Sequence, residues 1–217
     1  MPTNLVLFHG WGFTPDVMEP LSKKLSETYQ VSIVDLNKPI DVIRNAIPDH
    51  AILMGWSLGG LFALKLASII PTKKVVLVAS NPCFLAKDSW PGIDPEFFNQ
   101  FVNELKVDPD AALQKFGYLQ VKGMEDERDA FKLIKNYLSK ELSRPMLLDI
   151  LKIDMRGGLK KTNCPVQFIL GGKDPLVPIK VHEHIKALMP EVEISIIEDA
   201  GHVPVLFNID AVVQYVI

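Results

Sequence analysis

The sequence predicts an α/β fold: a trimmed, mostly parallel sheet of about six strands carrying a helical lid. Three observations predict it. Six short aliphatic runs have the length of strands. Helix-sized segments separate the early runs, the alternation that builds a doubly wound sheet. Between Ser80 and Cys164 the alternation stops, and helical patterns follow one another without a clear strand.

The strand runs are Leu5–His9, Val31–Asp35, Ala51–Trp56, Val75–Ser80, Val166–Leu170 and Glu193–Ile197. They are apolar almost throughout rather than alternating, which fits strands covered on both faces of a parallel sheet. Helices are expected at Asp16–Tyr29, Pro39–Ala46 and Leu58–Ile70, one after each of the first three strands. In the interrupted stretch, Asp126–Leu142 places Phe131, Ile134, Leu138 and Leu142 at three- and four-residue steps. Asp126, Glu127 and Asp129 fill its first turn, where the helix dipole favours acids. The expected division is a core of residues 1–82 and 162–217 with a helical insertion of residues 83–161.

A chain of 217 residues suffices for one well-buried core. Hydrophobic content of 48% and mean hydropathy of +0.17 exclude a disordered chain. No apolar run approaches the length that crosses a bilayer as a helix. The opening Met1-Pro2-Thr3-Asn4 has no basic region and no hydrophobic stretch long enough for a secretory signal. Cys83 and Cys164 lack metal or redox spacing and suit a reducing compartment. A cytoplasmic monomer is therefore expected. A net charge of −3 and a pI near 6.0 argue against nucleic acid as a partner. No cluster calls for a metal or an organic cofactor.

Gly55-Trp56-Ser57-Leu58-Gly59 follows the third strand run and opens a helical one. A serine between glycines at a strand-to-helix junction describes a nucleophile elbow. The turn is sharp, so the residues two before and two after must lack bulk. Ser57 needs a base, and His202 follows the sixth strand run in Asp199-Ala200-Gly201-His202. The imidazole needs a carboxylate to fix its tautomer. Asp174 follows the fifth strand run directly, at the same sheet edge, with Asp199 as the alternative acid. His9, His50, His182 and His184 suit catalysis less well, the last two reading as exposed helix residues. Oxyanion donors are expected from the backbone N–H of Leu58, at the helix start, and of Trp11, in His9-Gly10-Trp11-Gly12. Met54, Trp56 and Cys83 read as packing residues.

Together these residues resemble the α/β-hydrolase superfamily, and with it the α/β-hydrolase fold is expected. Further stretches are similar to one family within it, the pimeloyl-[acyl-carrier protein] methyl ester esterases of biotin synthesis. They are Leu7-Phe8-His9-Gly10-Trp11-Gly12, the elbow through Gly60, Ala79-Ser80-Asn81-Pro82-Cys83-Phe84 with Trp90-Pro91-Gly92-Ile93, and Phe116-Gly117-Tyr118-Leu119-Gln120. The resemblance implies a serine carboxylesterase with Ser57, His202 and Asp174 as its triad, and acyl carrier protein as the substrate's bearer. It implies that Phe116, Gly117, Tyr118, Leu119 and Gln120 line an acyl-chain channel. It also implies that Lys115, Arg128 and Lys132 meet the carrier's acidic surface and its phosphopantetheine phosphate. Arg128, Lys132 and Lys135 fall at i, i+4 and i+7, one stripe of a helix, which is also how a solvated face looks. Two departures stand out. The chain opens at the strand before His9-Gly10, so strands that usually precede it are expected to be missing. The loop Leu36-Asn37-Lys38-Pro39 lacks the family's glycine-rich turn. A more open cleft would relax substrate choice, which keeps two alternatives in view: a broad carboxylesterase or thioesterase on small acyl esters, and a lyase-type member of the fold.

Overall fold

β-Branched and long apolar side chains fit a pleated surface that is covered on both sides, and the aliphatic runs become strands for that reason. A computed structural model of the protein describes residues 2–139 and 149–217. Its strands are β1 (Asn4–Phe8), β2 (Gln30–Val34), β3 (Ala51–Trp56), β4 (Thr72–Val78), β5 (Val166–Gly171) and β6 (Glu193–Ile197). They pair in parallel in the order β2-β1-β3-β4-β5-β6. The order reverses direction between β1 and β3, and open α/β sheets bind their ligands at such a switch point.

Side chains alternate between two cores. Val6, Phe8, Leu53, Val75, Leu77, Phe168 and Leu170 point to one face. Leu5, Leu7, Ile52, Met54, Val76, Val78 and Ile169 point to the other. The first face is covered by α2 (Ile40–Ala46) and α3 (Leu58–Ala67), and the second by α1 (Glu19–Leu25). Between β4 and β5 come α4 (Pro95–Val107), α5 (Pro109–Val121), α6 (Glu127–Lys135) and the short α7 (Arg156–Lys160). After β5 follow α8 (Val181–Leu188), α9 (Pro204–Phe207) and α10 (Ile209–Val216). Among the described residues no helix is long and apolar enough to cross a membrane.

Several expected boundaries move, each for a local reason. The helix expected at Asp16–Tyr29 is a 3-10 turn at Pro15–Met18 followed by α1, because Pro20 is tolerated only in a first turn. The helix expected to reach Ile70 ends at Ala67. β4 starts at Thr72, since Lys73 and Lys74 can pair through their backbones while their ammonium groups stay in water, and it ends before Ala79, whose φ of 44° leaves the strand region. β2 and β6 lie at the sheet edges and are half-exposed rather than buried on both faces. The helix expected at Asp126–Leu142 stops at Lys135. Leu138 instead forms an antiparallel bridge with Phe13, flanked by Thr14 N–H to Tyr137 C=O at 2.8 Å and Ser139 N–H to Gly12 C=O at 2.9 Å. Leu142 lies outside the described residues.

Candidate active site

β3 ends at Trp56 and α3 begins at Leu58, so one residue makes the whole change of direction. Ser57 takes φ 54° and ψ −124°, a region that costs a residue with a side chain about 1–3 kcal/mol. Its surroundings hold it there. The Ser57 N–H donates to Val78 C=O at 2.9 Å. The Ser57 C=O accepts from the Ser80 hydroxyl at 2.7 Å and from the Gly60 N–H at 2.9 Å. The flanking glycines are spatial requirements: a Cβ on Gly55 would lie 2.2 Å from the Gly59 carbonyl, and one on Gly59 would lie 2.3 Å from Phe8 O. The first turn of α3 thus rests on the ends of β1 and β3.

The loops after β5 and β6 bring Asp174 and His202 to the same edge. His202 Nε2 lies 2.8 Å from Ser57 Oγ, and Nδ1 lies 2.8 Å from Asp174 Oδ2 and 3.0 Å from Oδ1. A carboxylate only accepts, so Nδ1 carries the proton and Nε2 is left to accept from the serine. Asp174 Oδ1 also accepts from the N–H groups of Leu176 and Val177, at 2.8 and 2.9 Å. His202 is wholly buried, and the Trp56 indole N–H donates to its C=O at 2.6 Å. Asp199 pairs with Lys173 at 2.9 Å and is largely exposed.

The remaining histidines have other partners or lie away from the site. His9 is buried, and its Nε2 accepts from the Leu36 N–H at 3.2 Å. The proton must then sit on Nδ1, which donates to Gly10 C=O at 2.8 Å. Burial lowers its pKa below the ordinary imidazole value, against weaker opposing effects of Gly10 and Asp35. His50 is exposed in the turn before β3, at the opposite sheet edge. His182 and His184 are half-buried, not exposed: His182 donates to Ile179 C=O at 2.8 Å, and His184 packs 5.5 Å from Trp90.

Trp11 sits in the loop after β1 with its ring buried edge-on against Phe101 and Phe116, at 5.5 and 5.0 Å. Gly12 beside it has φ 79°, which only a glycine adopts freely. Phe101 and Phe116 also line a cavity of about 240 Å³. Its walls include Phe98, Leu119 and Leu176, the last being two residues beyond Asp174, and Glu104, Lys115, Tyr118 and Lys122 bring polar groups to it. Of the expected channel residues, Phe116, Tyr118 and Leu119 line this cavity. Gly117 is buried, and a Cβ there would lie 2.8 Å from Leu138. Gln120 is buried with its side-chain N–H group unpartnered among the described residues. Lys115 is paired with Glu104 at 2.8 Å, Lys132 with Asp129 at 2.6 Å, and Arg128 is exposed on α6.

Three supporting residues escaped the sequence reading. The Trp56 indole anchors the His202 loop, the Ser80 hydroxyl anchors the elbow, and His9 braces the Gly10 loop against Leu36. A signal existed for Ser80, which ends a strand run at the same edge as Ser57. In sequence Trp56 reads only as packing, and it is indeed fully buried.

A family model described as the alpha/beta hydrolase fold matches residues 9–209. The chain belongs to the α/β-hydrolase family. Among curated relatives, the protein named pimeloyl-[acyl-carrier protein] methyl ester esterase in Aliivibrio fischeri (strain MJ11) is 34% identical, across 96% of this chain and 90% of its own. The protein of the same name in Salmonella newport (strain SL254) is 35% identical, across 93% and 87%. Among solved structures, an esterase (EaEST) from Exiguobacterium antarcticum superposes with a TM-score of 0.82 at 21% identity, covering 99% of this chain and 90% of that one. A bromoperoxidase from Bacillus anthracis gives 0.81 at 18% identity, covering 100% and 91%. At such identities these two speak for the fold alone, and their differing names illustrate that the α/β-hydrolase fold does not by itself define a reaction.

Proposed function

We propose that the protein is a serine carboxylesterase that hydrolyses the methyl ester of pimeloyl-acyl carrier protein in biotin synthesis. The hydrogen-bonded chain Ser57–His202–Asp174 is the observation that carries the reaction class. The substrate is supported by near-full-length similarity to relatives bearing that name.

In this reading Ser57 Oγ attacks the ester carbonyl while His202 Nε2 takes its proton. Asp174 keeps the Nδ1 proton in place and stabilises the imidazolium that forms. The carbonyl oxygen becomes an oxyanion, which the N–H groups of Trp11 and Leu58 receive. Collapse breaks the C–OCH3 bond, and His202 returns the proton to the departing methanol. Water then attacks the acyl-enzyme with His202 as base, releasing the free carboxyl group and restoring Ser57. The aliphatic chain lies among Phe101, Phe116 and Leu119, and its other end leads out to the carrier. Residues 83–161 act as a lid over a core of residues 1–82 and 162–217. Gly117 and Gln120 support the channel, and Lys115, Arg128 and Lys132 face the carrier. The enzyme works in the cytoplasm as a single chain.

The test compares methyl pimeloyl-carrier protein with free monomethyl pimelate. A kcat/KM at least tenfold higher for the carrier-linked ester is expected, on the order of one further interaction worth ~1.4 kcal/mol. Equal values would leave a broad carboxylesterase instead.

A further inference from the structure

Glu104 projects from α4 and Lys115 from α5, and both line the same cavity, the one proposed for the acyl chain. Lys115 Nζ donates to both Glu104 oxygens, at 2.9 and 2.8 Å, and the Gln100 amide donates to Oε1 at 2.9 Å. These hydrogen bonds, that from Lys115 foremost, hold the Glu104 carboxyl below its usual range, so it is an anion at neutral pH. The pair is exposed, with 57% of the Lys115 side chain and 32% of the Glu104 side chain open to solvent. Exposed pairs add little to stability. What such a pair does change is the field met by a charged molecule arriving at the cavity.

A carrier-bound acyl chain arrives on a phosphodiester arm, whereas the free ester of the same chain does not. Any anion drawn to Lys115 competes with a carboxylate already there. We infer that Glu104 is a specificity-determining residue: by occupying Lys115 it weakens the hold on an anionic carrier arm and sets the preference between carrier-linked and free esters. The inference rests on the proposed function and deepens it.

The experiment measures kcat/KM for methyl pimeloyl-carrier protein and for dimethyl pimelate, a free ester of the same chain that carries no charge, at low and high salt, in four proteins. These are the unaltered enzyme, Glu104→Gln, Lys115→Gln and the double variant. Glu104→Gln is expected to raise the carrier-to-free ratio roughly two- to fivefold at low salt, the range of an exposed ion pair. The gain shrinks at high salt through screening. In the Lys115→Gln background the same change has no effect, because Glu104 acts through Lys115. A merely structural role would move both substrates together. If the unaltered enzyme prefers the carrier-linked ester and Glu104→Gln leaves the ratio unchanged or lowers it, the inference is overturned alone. A gain that persists without Lys115 overturns it as well. If the unaltered enzyme shows no preference, the proposed function falls and takes the inference with it.

Discussion

Ser57 holds a backbone conformation that side chains avoid, and the hydrogen bonds from Ser80 and Gly60 to its carbonyl keep it there without involving its hydroxyl. Function and architecture are therefore separable at this position. Ser57→Ala should lower kcat by about 10⁴- to 10⁶-fold while thermal unfolding stays near its original midpoint. A large loss of stability would tie the hydroxyl to the fold instead. His9 makes a different case, because both its ring nitrogens are held by backbone groups. Its pKa is lowered in the folded protein, so stability is greatest above the unfolded value of about 6.5. That contribution is lost as pH falls below this value toward the folded pKa, since the unfolded chain gains the proton first. Denaturant midpoints between pH 7.5 and 5 should fall less steeply in His9→Gln than in the unaltered protein. Parallel slopes would remove His9 from the account. At this scale Ser57, Asp174 and His202 were legible because each follows an apolar run in a turn-forming sequence. Trp56 and Ser80 were not, because a buried donor that reaches a carbonyl across the sheet edge leaves no mark on its own neighbours in sequence.

The junction of β3 and α3 is the element on which the site depends. Gly59 sits where a methyl group would meet the backbone oxygens of Phe8 and His9, at 2.3 and 2.6 Å, and no side chain can rotate away to relieve it. Gly59→Ala is expected to destabilise by about 3 kcal/mol or more and to cost activity even where the protein stays folded. A variant of unchanged midpoint would show that α3 can slide on the sheet. Strands β3 and β6 match their apolar runs residue for residue, since nothing in those runs competes with pairing. Helix ends were harder to read. Pro20 moved one start, and the apolar spacing that carries α6 continues through Leu138 although the chain has already left the helix to bridge with Phe13. Periodicity records which side chains are buried, and here it could not tell a helix face from the bridge that follows.

Across the whole molecule, three side chains spaced 117 and 28 residues apart in sequence meet because β3, β5 and β6 are parallel and end at one edge. That convergence follows from strand direction, which alternation with helices makes readable. Strand order is a tertiary matter, and the placement of α4, α5 and α6 is settled by packing of Phe98, Phe101, Leu113 and Ile134 into the two cores. In the proposed function, charge would separate the substrates at this scale too. The KM for the carrier-linked ester should rise with ionic strength, while the KM for a neutral free ester such as dimethyl pimelate should change little. A flat salt response for both would remove the lid cations from recognition. The bridge between Phe13 and Leu138, with Ser139 bonded to Gly12, ties the segment behind α6 to the loop that bears Trp11. In the proposed function, a carrier that grips α6 would hold one end of a lever whose other end is the Trp11 loop, so that docking and chemistry would share a mechanical linkage two main-chain bonds wide.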